Sequence, residues 1–132
     1  MLLCAFLHFN GDCRKAMTFY KKCFGGKLVY QTVSELPQSE LLPFYLRKKI
    51  LTALLYTKQF KLAGTDLMNE AVYLHDNNFT LLLQCNSEHE IKQLYRRLSA
   101  GGEKTQLLEK NFYGVIIGSV KDRFGIKWVL QY

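Results

Sequence analysis

The chain lacks the signatures of the common catalytic classes. It has no GxSxG, no Walker loop, no GxGxxG and no HExxH, which leaves acyl transfer, nucleotide hydrolysis, dinucleotide binding and zinc proteolysis without a foothold. Proline is scarce: Pro37 and Pro43 are the only two, and both fall between Ser34 and Lys49. The four cysteines, Cys4, Cys13, Cys23 and Cys85, form no CxxC pair and have no histidine at ligand spacing. They read as buried free thiols, not as a zinc site. No apolar run is long enough to span a bilayer. The run from Met1 to Phe9 also lacks a basic leader and a small-residue cleavage site, so no membrane partner is expected and the chain reads as cytoplasmic.

Acidic residues are few, 11 against 18 lysines and arginines, giving a formal net charge of +7. Such an excess raises the question of nucleic acid, because clustered cations neutralise phosphates. Here the cations are scattered in short groups: Arg14-Lys15, Lys21-Lys22, Arg47-Lys48-Lys49, Arg96-Arg97, and Lys121 with Arg123. Two groups lie on outer helix faces, where charge marks a solvated surface. No nucleic-acid partner is expected.

With 132 residues, 48% of them apolar and 14% aromatic, the chain can form one ordered domain over 1–132 without a disulfide or metal staple. Leu2–Phe9 reads as a strand buried on both faces, followed by the turn formers Asn10, Gly11 and Asp12. Cys13, Ala16, Met17, Tyr20 and Phe24 recur at helical spacing, with Asn10 or Asp12 as cap and Gly25-Gly26 as terminator. Lys27–Val33 is expected as a strand, and Ser34–Lys49 as a loop with a short helical turn. Ile50–Phe60 and Asp66–Asn69 then form a hairpin about Ala63-Gly64-Thr65. Glu70–Asn77 is a polar connector.

The pattern then restarts. Phe79–Cys85 reads as a strand, Ser87 and Glu90 as a capping box, and Ile91, Leu94, Tyr95 and Leu98 as one helix face ended by Gly101-Gly102. Strands are expected at Glu103–Lys110, Phe112–Val120 and Ile126–Gln131, the last two joined by the turn Asp122-Arg123-Phe124-Gly125. Phe19-Tyr20-Lys21-Lys22 before Gly25-Gly26 matches Leu94-Tyr95-Arg96-Arg97 before Gly101-Gly102. The chain is therefore an α+β duplication of one βαβββ module, the copies spanning 1–69 and 78–132.

Asn10-Gly11-Asp12-Cys13 leading through Ala16 to Phe19-Tyr20, then Phe24-Gly25-Gly26, resembles the opening of PhnB-like proteins of the glyoxalase/bleomycin-resistance (vicinal oxygen chelate) superfamily. Ala63-Gly64-Thr65-Asp66-Leu67-Met68 resembles their central hairpin, and Phe112-Tyr113, Gly118, Val120, Asp122-Arg123-Phe124-Gly125 and Trp128 their closing segment. The resemblance implies two βαβββ repeats whose eight strands curl as a mixed sheet around a pocket, in chains that commonly form homodimers. Whether the modules pair within one chain or across a dimer stays open.

Metalloenzymes of that superfamily carry His or Glu ligands for a divalent cation on four strands facing the pocket. By the resemblance these positions fall near Ala5, Met68, Phe79 and Val129, none of them a hard-metal ligand, so no metal and no cofactor is expected. His8 has the opposite strand parity to Ala5 and is expected on the helix side. His75 and His89 are expected at the surface. The methyltransferase activity in a name attached to this family finds no glycine-rich loop for a methyl donor here.

The expected function is metal-independent binding of a small molecule, with an enzyme of unknown reaction in the same pocket as the alternative. Leu7, Phe9, Phe79 and Val129 are the expected apolar pocket residues, and Tyr113 and Lys127 the polar handles. Filling of the barrel mouth by these side chains is the competing structural reading. Trp128, of opposite parity to Val129, is expected beneath a helix.

Overall fold

The computed structural model describes residues 1–67 and 79–132. They divide into two compact units, one within Met1–Asp76 and one within Asn77–Tyr132. In the first unit the chain runs β1 (Ala5–His8), α1 (Cys13–Phe24), β2 (Lys27–Thr32), two single 3₁₀ turns, the one-turn helix α2 (Phe44–Arg47), β3 (Ile50–Tyr56) and β4 (Lys61–Thr65). The second unit runs β5 (Leu81–Gln84), α3 (Glu88–Ser99), β6 (Glu103–Lys110), β7 (Ile116–Lys121) and β8 (Lys127–Gln131). Each unit has a four-stranded mixed sheet, ordered β1-β4-β3-β2 in the first and β5-β8-β7-β6 in the second. The opening strand is parallel to the last strand of its module, and the other pairings are antiparallel. The α+β duplication expected from the repeat is present, with eight strands in two matching sheets among the described residues.

Helices α1 and α3 end by the same device. Gly26 and Gly102 each approach the backbone of a strand so closely that a Cβ would stand 2.2 Å from Tyr56 O and 2.3 Å from Lys121 O, respectively. Any side chain there would push the incoming strand away, so the double glycine sets the helix-to-sheet distance in both copies.

The helix starts differ. Ser87 Oγ accepts the amide of Glu90 at 3.0 Å, as a capping box requires, while the Glu90 carboxylate accepts from Asn86 N at 2.6 Å. For α1, however, Asp12 occupies the N-cap position without a side-chain cap bond. The orphan amides are taken from a distance by Asp66, whose Oδ1 accepts from Gly11 N and Cys13 N and whose Oδ2 accepts from Ile50 N, each at 2.9 Å. A buried carboxylate at the end of β4 thus ties the helix start to the first residue of β3.

Two expected turns shift. Ala63-Gly64-Thr65 lies inside β4, and the β3–β4 turn spans Thr57–Phe60, where Thr57 Oγ1 accepts from Phe60 N at 2.9 Å. Gly64 is a strand glycine because α1 crosses directly over it: a Cβ there would stand 3.1 Å from both Cys13 Sγ and Met17 Sδ. Phe112 and Tyr113 likewise leave the expected strand. Asn111 Oδ1 accepts from Tyr113 N at 2.9 Å and Val115 N at 3.0 Å, which makes an Asx turn of the β6–β7 connection and starts β7 at Ile116.

Candidate functional site

Register decides which side chains share a sheet face, because paired residues on neighbouring strands point the same way. In the first sheet Leu7, Gly64, Ala53 and Tyr30 form one row across the four strands. Gly64 meets Cys13 and Met17 of α1, so this row is the helix side. The next row, Phe6, Ala63, Leu54 and Val29, lies on the face away from the helix. There Phe6 is 50% and Val29 47% exposed. His8 shares this open face and pairs with Thr65.

The expected orientation of β1 is therefore reversed. Leu7 points to α1 and is buried; Phe9 continues its parity and is buried too. His8, expected beneath the helix, stands on the open face instead. The physical reason is that Leu2–Phe9 is apolar at both parities, so alternation alone could not tell which face the helix takes. Gly64, opposite Leu7, carries that information.

The second sheet follows its expected parity. Trp128 pairs with Val120 and Leu130 with Gly118, all four are buried, and α3 presents buried Ile91, Tyr95 and Leu98. Val129 and Lys127 alternate with these residues and so take the open face. In register with Val129 stand Leu82 and Ser119, and with Gln131 stand Gln84 and Ile117. Leu82 is exposed. Ser119 Oγ is held by Thr105 Oγ1 at 2.7 Å. Phe79 precedes β5 and is exposed, and Tyr113 sits at the β6–β7 hairpin tip, largely exposed with its ring edge-on to Phe112. His89 is exposed in the first turn of α3. Met68 and His75 lie outside the described residues.

One polar atom stands out. Nδ1 of His8 is a buried side-chain atom with no hydrogen-bond partner among the described residues, its ring packed edge-on against Phe6 at 4.9 Å between centroids. An unpaired buried nitrogen is costly, and here it lies on the open face beside the apolar row of Phe6 and Val29. The described residues hold no group of three His, Cys, Asp or Glu that could hold a metal. No helix among the described residues is long and apolar enough to cross a membrane.

The family model for 3-demethylubiquinone-9 3-methyltransferase matches residues 2–131. The chain belongs to this family. Protein YjdN of Escherichia coli (strain K12) is 28% identical over 144 residues, 99% of this chain and 95% of that protein. The crystal structure of protein PA1353 from Pseudomonas aeruginosa superposes with a TM-score of 0.84 at 27% identity, covering 98% of this chain and 96% of that one. A glyoxalase-related enzyme from Fulvimarina pelagi shares the fold, with a TM-score of 0.64 at 20% identity over 99% of this chain and 86% of its own. The fold is that of the glyoxalase/bleomycin-resistance superfamily, and the segments Asn10–Cys13, Ala63–Asp66 and Asp122–Gly125 take defined structural roles in it.

Proposed function

We propose that this protein is a metal-independent binder of small apolar or aromatic molecules, taken up against the open faces of its sheets within a single domain. The observation that carries the reading is the row Phe6, Ala63, Leu54 and Val29 with His8 beside it: apolar side chains on the sheet face away from α1, next to a nitrogen without a partner among the described residues. Exposed apolar surface of this kind marks a place where another molecule binds. A mainly apolar surface with a few separate polar groups orients a ligand, and among the described residues it assembles no acid–base or nucleophile pair, which favours binding over catalysis.

Lys127 and Val129 serve the same purpose on the second sheet. Phe79 flanks β5 as a further apolar contact, and Tyr113 provides a hydroxyl at the hairpin tip. Leu7 and Phe9 act from behind, filling the layer beneath α1 that holds β1 in place. The protein works as a cytoplasmic homodimer, which also covers the edges of its short sheets. A thermal-stability screen against aromatic and amphipathic metabolites in excess EDTA tests the reading, since a ligand that binds only the native state raises the melting temperature by mass action. Elemental analysis showing about one tightly held divalent metal per chain, or hits that vanish in EDTA, would overturn metal independence.

A further inference from the structure

The first unit also carries a cleft whose lining does not include the row of Phe6 and Val29. Arg14 from the first turn of α1, Thr32 and Ser34 at the end of β2, and Phe44, Arg47 and Lys48 of the α2 segment line a cleft of about 440 Å³. Three of these six residues are cations and none is an acid. Among the described residues no carboxylate forms an ion pair with Arg14, Arg47 or Lys48. Their positions are set by neutral groups instead. Arg47 donates from Nε to Leu42 O at 3.0 Å and from one terminal nitrogen to Glu40 O at 2.8 Å. Arg14 donates to the Tyr30 hydroxyl and lies 4.4 Å over its ring. Lys48 Nζ stands 4.7 Å over the Phe44 ring.

Like charges gathered around one cleft repel each other, and an anion between them relieves that repulsion. Each cation keeps side-chain donors to spare among the described residues: Arg47 has a terminal nitrogen outside its two bonds, and the Lys48 ammonium stands over the Phe44 ring with no hydrogen bond of its own. The hydroxyls of Thr32 and Ser34 stand 2.6 Å apart. One hydrogen closes that contact, and the other hydroxyl hydrogen is left for a ligand. Phe44, 66% exposed, forms an apolar wall beside the charges.

We propose that this cleft binds a phosphate monoester of a small aromatic or apolar molecule. The phosphoryl dianion meets Arg14, Arg47, Lys48 and the free hydroxyl hydrogen, and the organic group rests on Phe44. A dianion matches three cations better than a single carboxylate does, and its tetrahedral oxygens can reach donors arriving from three separate chain segments.

Titration of the full chain with phenyl phosphate at low ionic strength, followed by calorimetry or amide NMR, tests the assignment. Saturable one-to-one binding is expected, weakening as salt is raised. Lys48→Gln and Arg14→Gln should each weaken it about tenfold or more, as loss of a charge-assisted hydrogen bond does. Phe44→Ala should weaken phenyl phosphate while leaving inorganic phosphate unchanged. Unaltered melting temperatures of the variants would show that the change is one of binding. The proposal is overturned if phenyl phosphate gives no saturable signal, if the Arg14→Gln, Lys48→Gln double variant binds it like the wild type, or if it binds no tighter than inorganic phosphate.

Discussion

The indole N–H of Trp128 donates to Asp122 Oδ2 at 2.8 Å inside the second unit, where both residues are buried. The other oxygen of that carboxylate accepts from Phe124 N at 2.8 Å and Ile126 N at 3.1 Å. One side chain thus shapes the β7–β8 turn and anchors the largest residue of the core. Asp122→Ala removes the acceptor for all three donors, and we expect a loss of about 2–4 kcal/mol in chemical denaturation. A variant as stable as the wild type would show that the turn forms without its carboxylate.

Asp66 and Asp12 give a paired prediction. Asp66→Ala leaves the amides of Gly11, Cys13 and Ile50 without their acceptor, and a loss of about 2–4 kcal/mol is expected. Asp12→Ala, at the nominal cap, should change stability by no more than about 0.5 kcal/mol, because its side chain makes no cap bond. Denaturant midpoints in the reverse order would place the helix cap at Asp12.

Gly64→Val drives methyl groups against Cys13 and Met17, which would already stand 3.1 Å from a bare Cβ. A destabilisation of about 1–3 kcal/mol is expected from this overpacking. Were Gly64 in an exposed turn, the same change would leave the melting temperature nearly untouched.

Burial, with the Asp66 carboxylate as a second contribution, pushes the Cys13 thiol up from its ordinary value of 9.0 to about 12. Burial and the nearby Glu90 raise Cys85 to about 11. Both thiols therefore hold their protons more tightly in the native state than when unfolded. Their stabilisation is complete below pH 9 and is lost as pH rises through the native values, so stability should fall between about pH 9 and 12. Cys13→Ala should flatten that decline, as read from denaturation midpoints across the range. In the native protein at pH 8, iodoacetamide should label half-buried Cys4 ahead of buried Cys13, Cys23 and Cys85. Rapid labelling of Cys13 would contradict its placement under α1.

Much of the fold was legible in the sequence because its signals are local. The capping box at Ser87 and Glu90 and the spacing of Ile91, Tyr95 and Leu98 each act within one helix, and the double glycines mark where each long helix ends. What escaped depends on contacts distant in sequence. Asp66 caps a helix that starts more than fifty residues earlier, and nothing beside Asp12 shows that its carboxylate is not needed. Gly64 reads as a turn residue until α1 is seen to cross it. The candidate site suffered most from this limit. In β8, Trp128 distinguishes the core face from the Val129 face, but in β1 both Leu7 and Phe6 suit a core, and His8 went with the wrong neighbours. The apolar row of Phe6, Ala63, Leu54 and Val29 joins four segments that only strand register brings together.

The most direct test of the binding account is a thermal-shift comparison of the wild type with Phe6→Asp and, as control, Lys22→Glu on the outer face of α1, against one library of aromatic and amphipathic metabolites in EDTA. Phe6 is half exposed, so its replacement should lower intrinsic stability by only about 1 kcal/mol or less while placing a charge in the apolar row. The account predicts compounds that raise the melting temperature of the wild type and of Lys22→Glu in a dose-dependent way and do nothing for Phe6→Asp. A library that shifts no protein, or hits that stabilise Phe6→Asp as well as the wild type, would contradict it.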